Sequence, residues 1–332
     1  PLGALGITVF ALDLFFARSG AAPVGGLDAA GFIAQPGSLR IMLDLALIGM
    51  FSGFFVVPLF ALVQARTPRE ELSRVIAATN VQNALFIVAA AMLSLLVQQK
   101  LGWSIPQVFL AVAVLNALVT LWIFSIVPEF FMRFLAWAYV RLMYRIRSQG
   151  VEEFVPDEGP ALLVCNHVSY MDALVISATV PRPIRFVMYY KIFQVPVMSW
   201  IFRTAKAIPI AGAREDPEMM QKAFDDVDAA LADGQLVCIF PEGALTRDGE
   251  IAPFKGGVAR ILARRPVPVV PMALKGLWVG MWSKRDSRLG RMRIPRRFRA
   301  RIEVVAAPPV PGETATTEAL EAKVRELRGG DA

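Results

Sequence analysis

Ala161-Leu162-Leu163-Val164-Cys165-Asn166-His167-Val168-Ser169-Tyr170-Met171-Asp172-Ala173-Leu174-Val175-Ile176 carries the most fold information in this chain. Its first five residues are a short apolar run bounded by a polar turn, the pattern of a buried strand. Ala173 onward continues as an apolar helix. The turn holds His167, the single histidine among 332 residues, with the Asp172 carboxylate five positions on. A strand-to-helix turn can expose side chains while rigid elements hold them. Histidine is the usual proton carrier near neutral pH, with an unperturbed pKa of about 6.5. Taken alone, the pair also reads as a polar turn residue followed by a helix-capping carboxylate.

Two later blocks enlarge the picture. The strand-like run Gln235-Leu236-Val237-Cys238-Ile239 leads into Phe240-Pro241-Glu242-Gly243, and Val267-Pro268-Val269-Val270-Pro271-Met272-Ala273 forms a further apolar block. All three follow in order within one domain's length, a spacing that suits an α/β domain. Together they resemble the glycerophospholipid acyltransferases, typified by lysophosphatidic acid acyltransferases. The Asn-His-x-Ser-x-x-Asp motif of that family is matched from Asn166 to Asp172, Phe-Pro-Glu-Gly from Phe240 to Gly243, and Val-Pro-x-x-Pro from Val267 to Pro271. The resemblance covers roughly residues 130–310.

The resemblance implies an α/β acyltransferase domain over 151–311, a mostly parallel sheet flanked by helices. It implies an O-acyltransferase that moves an acyl chain from acyl-CoA or acyl-carrier protein to the free hydroxyl of a lysophospholipid, lysophosphatidate or lysophosphatidylethanolamine. His167 would act as general base, and Asp172 would hold the imidazole, as the acid does in a Ser-His-Asp triad. Glu242 and Gly243 would help bind the acceptor. The family usually places Thr-Arg directly after that glycine. Here Ala244-Leu245 intervene before Thr246-Arg247, a longer form that looks like that of domains fused to lysophospholipid transporters and acyl-carrier-protein ligases. Thr246 and Arg247 then read as phosphate ligands, or with Asp248-Gly249 as a solvated turn.

Other polar residues are less defined. The family's second motif presents an arginine after a short strand. Its nearest match, Ala207 to Arg214, displaces Arg214 by a few positions and has Lys206 on the other side, so neither is assigned. Lys255-Gly256-Gly257 resembles a later family element. Ser169 reads as a local hydrogen-bonding residue rather than a nucleophile. Cys165 ends an apolar strand, where burial makes a thiol inert. No bound metal or organic cofactor is implied, and one histidine with two separated cysteines gives little for a zinc site.

The chain is 55% hydrophobic with a mean hydropathy of +0.51, more than a soluble core needs. The excess lies in residues 41–63, 75–97 and 106–127, each long enough to cross a bilayer, with a shorter apolar stretch at 1–17. The chain thus reads as beginning inside a membrane helix, as a piece of something larger. Without basic residues before it and with further spans after it, the 1–17 stretch does not read as a signal peptide. The first loop between the long spans carries three arginines, Arg66, Arg69 and Arg74, Lys100 alone lies in the next loop, and Arg133, Arg141, Arg145 and Arg147 follow the last span. That bias places everything after residue 128 in the cytoplasm, against a bacterial-type inner (plasma) membrane. Cys165 and Cys238, both in that part, read as small core residues rather than a disulfide.

Residues 1–127 read as an all-α transmembrane bundle fragment. Ala61 to Pro68, Arg74 to Asn80 and Asn83 to Leu85 look like the loop between late helices of a major-facilitator carrier, most similar to its lysophospholipid transporters. Asp44, Asn80, Gln82 and Asn83 lie in or near spans, where polar groups mark a pathway or bond helix to helix. Residues 128–150 interleave arginines and aromatics and read as an amphipathic linker helix in the headgroup region, or as a helix packed on the domain. The net charge of +7 and the arginine-rich Lys284–Arg301 segment favour membrane lipid or an acidic carrier protein over nucleic acid. Residues 312–332 read as a polar helix and tail. The combined expectation is a bundle that delivers a lysolipid to a domain that re-acylates it. The alternatives are a transporter fragment with a non-catalytic lipid-binding domain, or a glycerol-3-phosphate acyltransferase.

Overall fold

The computed structural model describes residues 2–18, 26–126, 128–278 and 299–329. The chain divides into two compact units, Pro1–Val127 and Pro128–Ala332. The first holds α1 (Leu2–Arg18), α2 (Ala29–Ile33), α3 (Ser38–Arg66), α4 (Leu72–Leu101) and α5 (Ile105–Ile126). Ser38–Ala61 of α3, all of α4 and all of α5 are long and apolar enough to cross a membrane, while α1 is apolar but 17 residues long. Pro58 sits inside α3 without ending it, as membrane helices tolerate.

Inside this unit α1 lies against α3 and α5. Gly3 and Gly6 permit the approach, since a Cβ at either would collide with the Phe51–Phe55 turn of α3. Asn116 Nδ2 donates to the Ala4 carbonyl at 2.8 Å and to Thr8 Oγ1 at 2.7 Å, and Arg40 pairs with Asp13. Asp44 is buried, whereas Asn80, Gln82 and Asn83 are exposed on α4. The outward side chains Leu85, Phe86, Ile87 and Leu93 suit hydrocarbon rather than water.

The second unit runs α6 (Pro128–Met143), β1 (Tyr144–Gln149), α7 (Val151–Phe154), β2 (Ala161–Cys165), α8 (Asp172–Thr179) and β3 (Ile184–Tyr189). A 3-10 turn (Tyr190–Gln194), α9 (Pro196–Thr204), β4 (Ile208–Ile210), α10 (Pro217–Ala232) and β5 (Leu236–Ile239) follow. The chain closes with α11 (Gly257–Arg264), β6 (Val269–Lys275), β7 (Ala300–Ala306) and α12 (Thr317–Arg328). The strands form one sheet in the order β1-β7-β6-β2-β5-β3-β4. Neighbours are parallel except β6 and β7. The unit is therefore α/β, with a mostly parallel sheet flanked by helices.

Continuous apolar runs make central strands because both faces of such a sheet are covered. Alternation along β2 and β5 splits them between two cores. Leu163, Cys165, Leu236 and Cys238 face one core with Val140 of α6 and Val175 and Ile176 of α8. Leu162, Val164, Val237 and Ile239 face the other with Phe224 and Leu231 of α10, Val258 and Ile261 of α11, and Leu320 and Val324 of α12. Both cysteines are free and buried.

Two segments depart in part from the sequence reading. Residues 128–150 are not one helix: α6 ends at Met143, and Tyr144–Gln149 is an edge strand paired with β7 from Tyr144↔Ala300 to Gln149↔Val305. Tyr144-Arg145-Ile146-Arg147 alternates apolar with charged residues, a strand period concealed by the arginine–aromatic pattern before it. Meanwhile α6 packs on its own domain, burying Ala136 and Val140, and Arg133 donates to the carbonyls of Val180 and Pro181 at 3.1 and 2.7 Å. The carboxyl-terminal segment is a helix, as read, but it carries a packed face: Leu320 and Val324 are buried, and Glu321 accepts the Phe254 N–H at 2.8 Å. Most of the basic Lys284–Arg301 segment lies outside the described residues; Arg299 and Arg301 border or lie in β7.

Gly276, just after β6, has φ of +78°, and a Cβ there would strike the backbone carbonyl of Arg301 on β7. Gly276→Ala is expected to destabilise the chain by about 2–4 kcal/mol, read as a lowered unfolding temperature in detergent. An unchanged midpoint would mean that the β6–β7 pair is not held this closely.

Candidate active site

The parallel strands β2, β5 and β3 end on one edge of the sheet, the edge where α/β folds place ligands. Asn166, the first residue past β2, is fully buried. Its Nδ2 donates to the Leu274 carbonyl at 3.1 Å, and its Oδ1 accepts the Leu274 N–H at 2.8 Å, so the turn is stapled to β6. This role was not legible in the sequence, although a polar residue closing an all-apolar strand was the available sign.

His167 follows, half-buried, with its Nδ1 2.7 Å from Asp172 Oδ2. The same oxygen accepts the backbone N–H of Val168 at 2.7 Å and of Ser169 at 3.0 Å. Asp172 opens α8, so one carboxylate closes the turn, starts the helix and grips the imidazole. An ionised carboxylate only accepts, which assigns the proton to Nδ1 and leaves the Nε2 lone pair free as a base. The Phe240 ring stacks on the imidazole, centroids 4.3 Å apart and planes 17° from parallel. Ser169 is buried, and its Oγ accepts the Met171 N–H at 3.2 Å. Burial pushes the Cys165 and Cys238 thiols well up, away from thiolate chemistry.

Glu242 reaches the same turn from β5. Its Oε1 accepts the His167 N–H at 2.7 Å, and its Oε2 accepts the Ala252 N–H at 2.8 Å. With 3% of its surface exposed, it braces the backbone of His167. Thr246 is buried too: its N–H donates to the His167 carbonyl at 3.0 Å, and its Oγ1 accepts the Gly249 N–H at 3.0 Å. Thr246 therefore knots the loop against the histidine turn. Arg247 is exposed, with no partner among the described residues, and Lys255 is exposed beside Gly243. Gly243 has φ of +68°, and a Cβ on it would meet the Lys255 side chain. The structure thus gathers His167, Asp172, Glu242, Gly243 and Thr246 around one turn. Arg247 and Lys255 offer solvent-facing cations on the adjoining loop, and Arg214 and Lys206 are exposed around β4.

Two buried carboxyl groups flank one imidazole. Burial pushes the Asp172 carboxyl up, and its bonds to His167 and to the Ser169 and Val168 N–H groups oppose that. Burial likewise raises Glu242, offset by the Ala252 and His167 N–H bonds. A carboxyl raised in the fold contributes stability in acid that is lost as pH climbs through its folded value. In Asp172→Asn the amide oxygen can take the Oδ2 place, and its NH2 falls at Oδ1, which has no hydrogen-bond partner among the described residues. Relative to wild type, Asp172→Asn should therefore gain stability as pH rises from about 4 towards neutrality. Thermal unfolding across pH checks this expectation; a constant wild-type-to-variant difference would refute it.

Over 142 residues the chain is 30% identical to the chloroplastic 1-acyl-sn-glycerol-3-phosphate acyltransferase BAT2 of Brassica napus, covering 42% of this chain and 40% of that protein. It is 25% identical over 180 residues to a probable 1-acyl-sn-glycerol-3-phosphate acyltransferase of Mycoplasma pneumoniae, covering 52% and 65%. The chain thus spans about 40% of the length of the first of these relatives. Among solved structures, the 1-acyl-sn-glycerophosphate acyltransferase PlsC of Thermotoga maritima aligns with a TM-score of 0.47 and 15% identity, over 74% of this chain and 95% of that one. Residues 145–275, the stretch that carries His167, Asp172 and Glu242, match the Acyltransferase family.

Proposed function

We propose that this chain is a membrane-bound O-acyltransferase that esterifies the free hydroxyl of a lysophospholipid of the lysophosphatidate type. The observation that carries the proposal is the 2.7 Å contact between His167 Nδ1 and a buried Asp172 on a turn otherwise tied down by backbone hydrogen bonds. The acceptor named by the relatives, a 1-acyl-sn-glycerol-3-phosphate, supplies the substrate class. A protonated hydroxyl is a weak nucleophile. His167 Nε2 removes its proton as the oxygen attacks the carbonyl carbon of a thioester donor, acyl-CoA or acyl-carrier protein. Asp172 stabilises the imidazolium so formed. Collapse of the tetrahedral adduct breaks the C–S bond, and the imidazolium returns the proton to the leaving thiolate. No covalent acyl-enzyme is needed, consistent with a buried Ser169 and two buried thiols.

Arg247 would meet the acceptor phosphate: its exposed charge on the loop that Thr246 holds, with no partner among the described residues, supports that role. The arginine bias of the loops supports a cytoplasmic domain on a bacterial-type inner membrane. The loop likeness to lysophospholipid transporters supports a bundle that hands lysolipid to the domain. Acyl transfer from labelled acyl-CoA and acyl-carrier protein to a panel of lysophospholipids and glycerol 3-phosphate tests the proposal on the full chain in membranes. Ester formed on lysophosphatidate is the expected result. No product from a folded, inserted chain with either donor would reject it, and product on glycerol 3-phosphate alone would reassign the acceptor.

A further inference from the structure

Past β3 the chain continues from the same sheet edge at which β2 delivers His167 and β5 delivers Glu242. The 3-10 turn and α9 that follow have an inside, where the Phe193 and Phe202 rings meet with centroids 5.7 Å apart. An apolar surface is exposed around them: Tyr189 at the end of β3, Val195 between the two, and Trp200 on α9, Trp200 by 58%. Such surface is unfavourable in water. The charges carried along this stretch are mostly basic. From Tyr189 to Arg214 there is no Asp or Glu, while Lys191, Arg203, Lys206 and Arg214 are basic. The first acid beyond, Glu215, is held by Lys191 at 2.8 Å and by the Tyr189 and Tyr190 hydroxyls at 2.9 Å.

The neighbouring helix repeats the pattern. Beside α9 in the same unit, α6 exposes Leu135, Trp137 and Leu142, and Arg141 lies 5.9 Å over the Trp137 ring. Phe130 to Arg147 is also free of acids. Exposed tryptophans within a rim where basic side chains outnumber the one acid, Glu215, match a bilayer interface that carries anionic headgroups. The same chain holds three helices of bilayer-spanning length, so such a surface is within reach of this domain.

We infer that the 3-10 turn and α9 dock into the headgroup layer of an anionic bilayer, with Trp200 as the inserted side chain. This deepens the acyltransferase reading and rests on it for its purpose: docking would set the His167 edge level with the hydroxyl of a membrane-resident acceptor. The docking itself is measured without turnover. The full chain, reconstituted in vesicles containing phosphatidylglycerol, would carry a spin label at Trp200→Cys. Leu93→Cys on α4 and Glu326→Cys on α12 serve as apolar-span and water-exposed controls. Cys165 and Cys238 are fully buried, and labelled wild type supplies the blank.

The expected signal at position 200 is preferential relaxation by oxygen over a water-soluble nickel complex, as at position 93, weakening in phosphatidylcholine vesicles. Nickel accessibility equal to that at position 326 would overturn the inference. So would poor access by both agents, which would mean cover by protein, and equal depth in phosphatidylcholine would overturn the anionic preference. Because the wild type can be assayed on its own, a water-exposed label beside normal acyl transfer rejects the docking and leaves the function standing.

Discussion

His167→Ala is expected to reduce acyl transfer by about 10²–10⁴-fold, the usual worth of a positioned general base. The lost interaction belongs to the transition state, so kcat and kcat/KM for the acceptor should fall together, with KM nearly unchanged. The variant should fold. The backbone of residue 167 keeps its N–H bond to Glu242 and its carbonyl bond to Thr246, neither of which uses the imidazole. Asp172 keeps the Val168 and Ser169 N–H bonds, so the loss of one hydrogen bond should cost about 1–2 kcal/mol. Initial rates with labelled acyl donor, beside an unfolding curve, separate the two effects. A variant that retains most of the wild-type kcat would remove His167 from the chemistry.

The second large effect is expected at Glu242. Truncation to alanine leaves the His167 and Ala252 N–H groups without their acceptor, at about 2–5 kcal/mol together. The histidine turn then loses its brace, and kcat should fall with the unfolding temperature. Glu242→Gln should lie between the two, since one amide oxygen still accepts while its NH2 confronts the other backbone N–H. A group that mainly gripped the acceptor would behave otherwise: KM would climb while the unfolding temperature stayed put. That pattern would sink the bracing role.

The His167–Asp172 pairing was legible because both residues lie in one seven-residue turn between a strand and a helix, and local periodicity identifies such elements. The central strands β2 and β5 were legible for the same reason: runs such as Leu162-Leu163-Val164 and Leu236-Val237-Cys238 have no comfortable place except a doubly covered sheet. The sequence misled where two patterns overlap. Tyr144–Gln149 follows a helix rich in arginines and aromatics, and its alternation becomes decisive only once β7 lies beside it. The α12 segment is mostly charged outward, and only its packing shows Leu320 and Val324 as core.

By itself, then, the sequence determined the central strands, the apolar helices of membrane length and the His167–Asp172 pairing, all properties of neighbours along the chain. Tertiary structure alone decided which groups are consumed by the scaffold. Asn166 bonds to Leu274 across 108 positions, and Glu242 bonds to His167 across 75. No local spacing encodes such bonds, because they exist only after strand order and register have brought distant backbone groups within reach of a buried side chain.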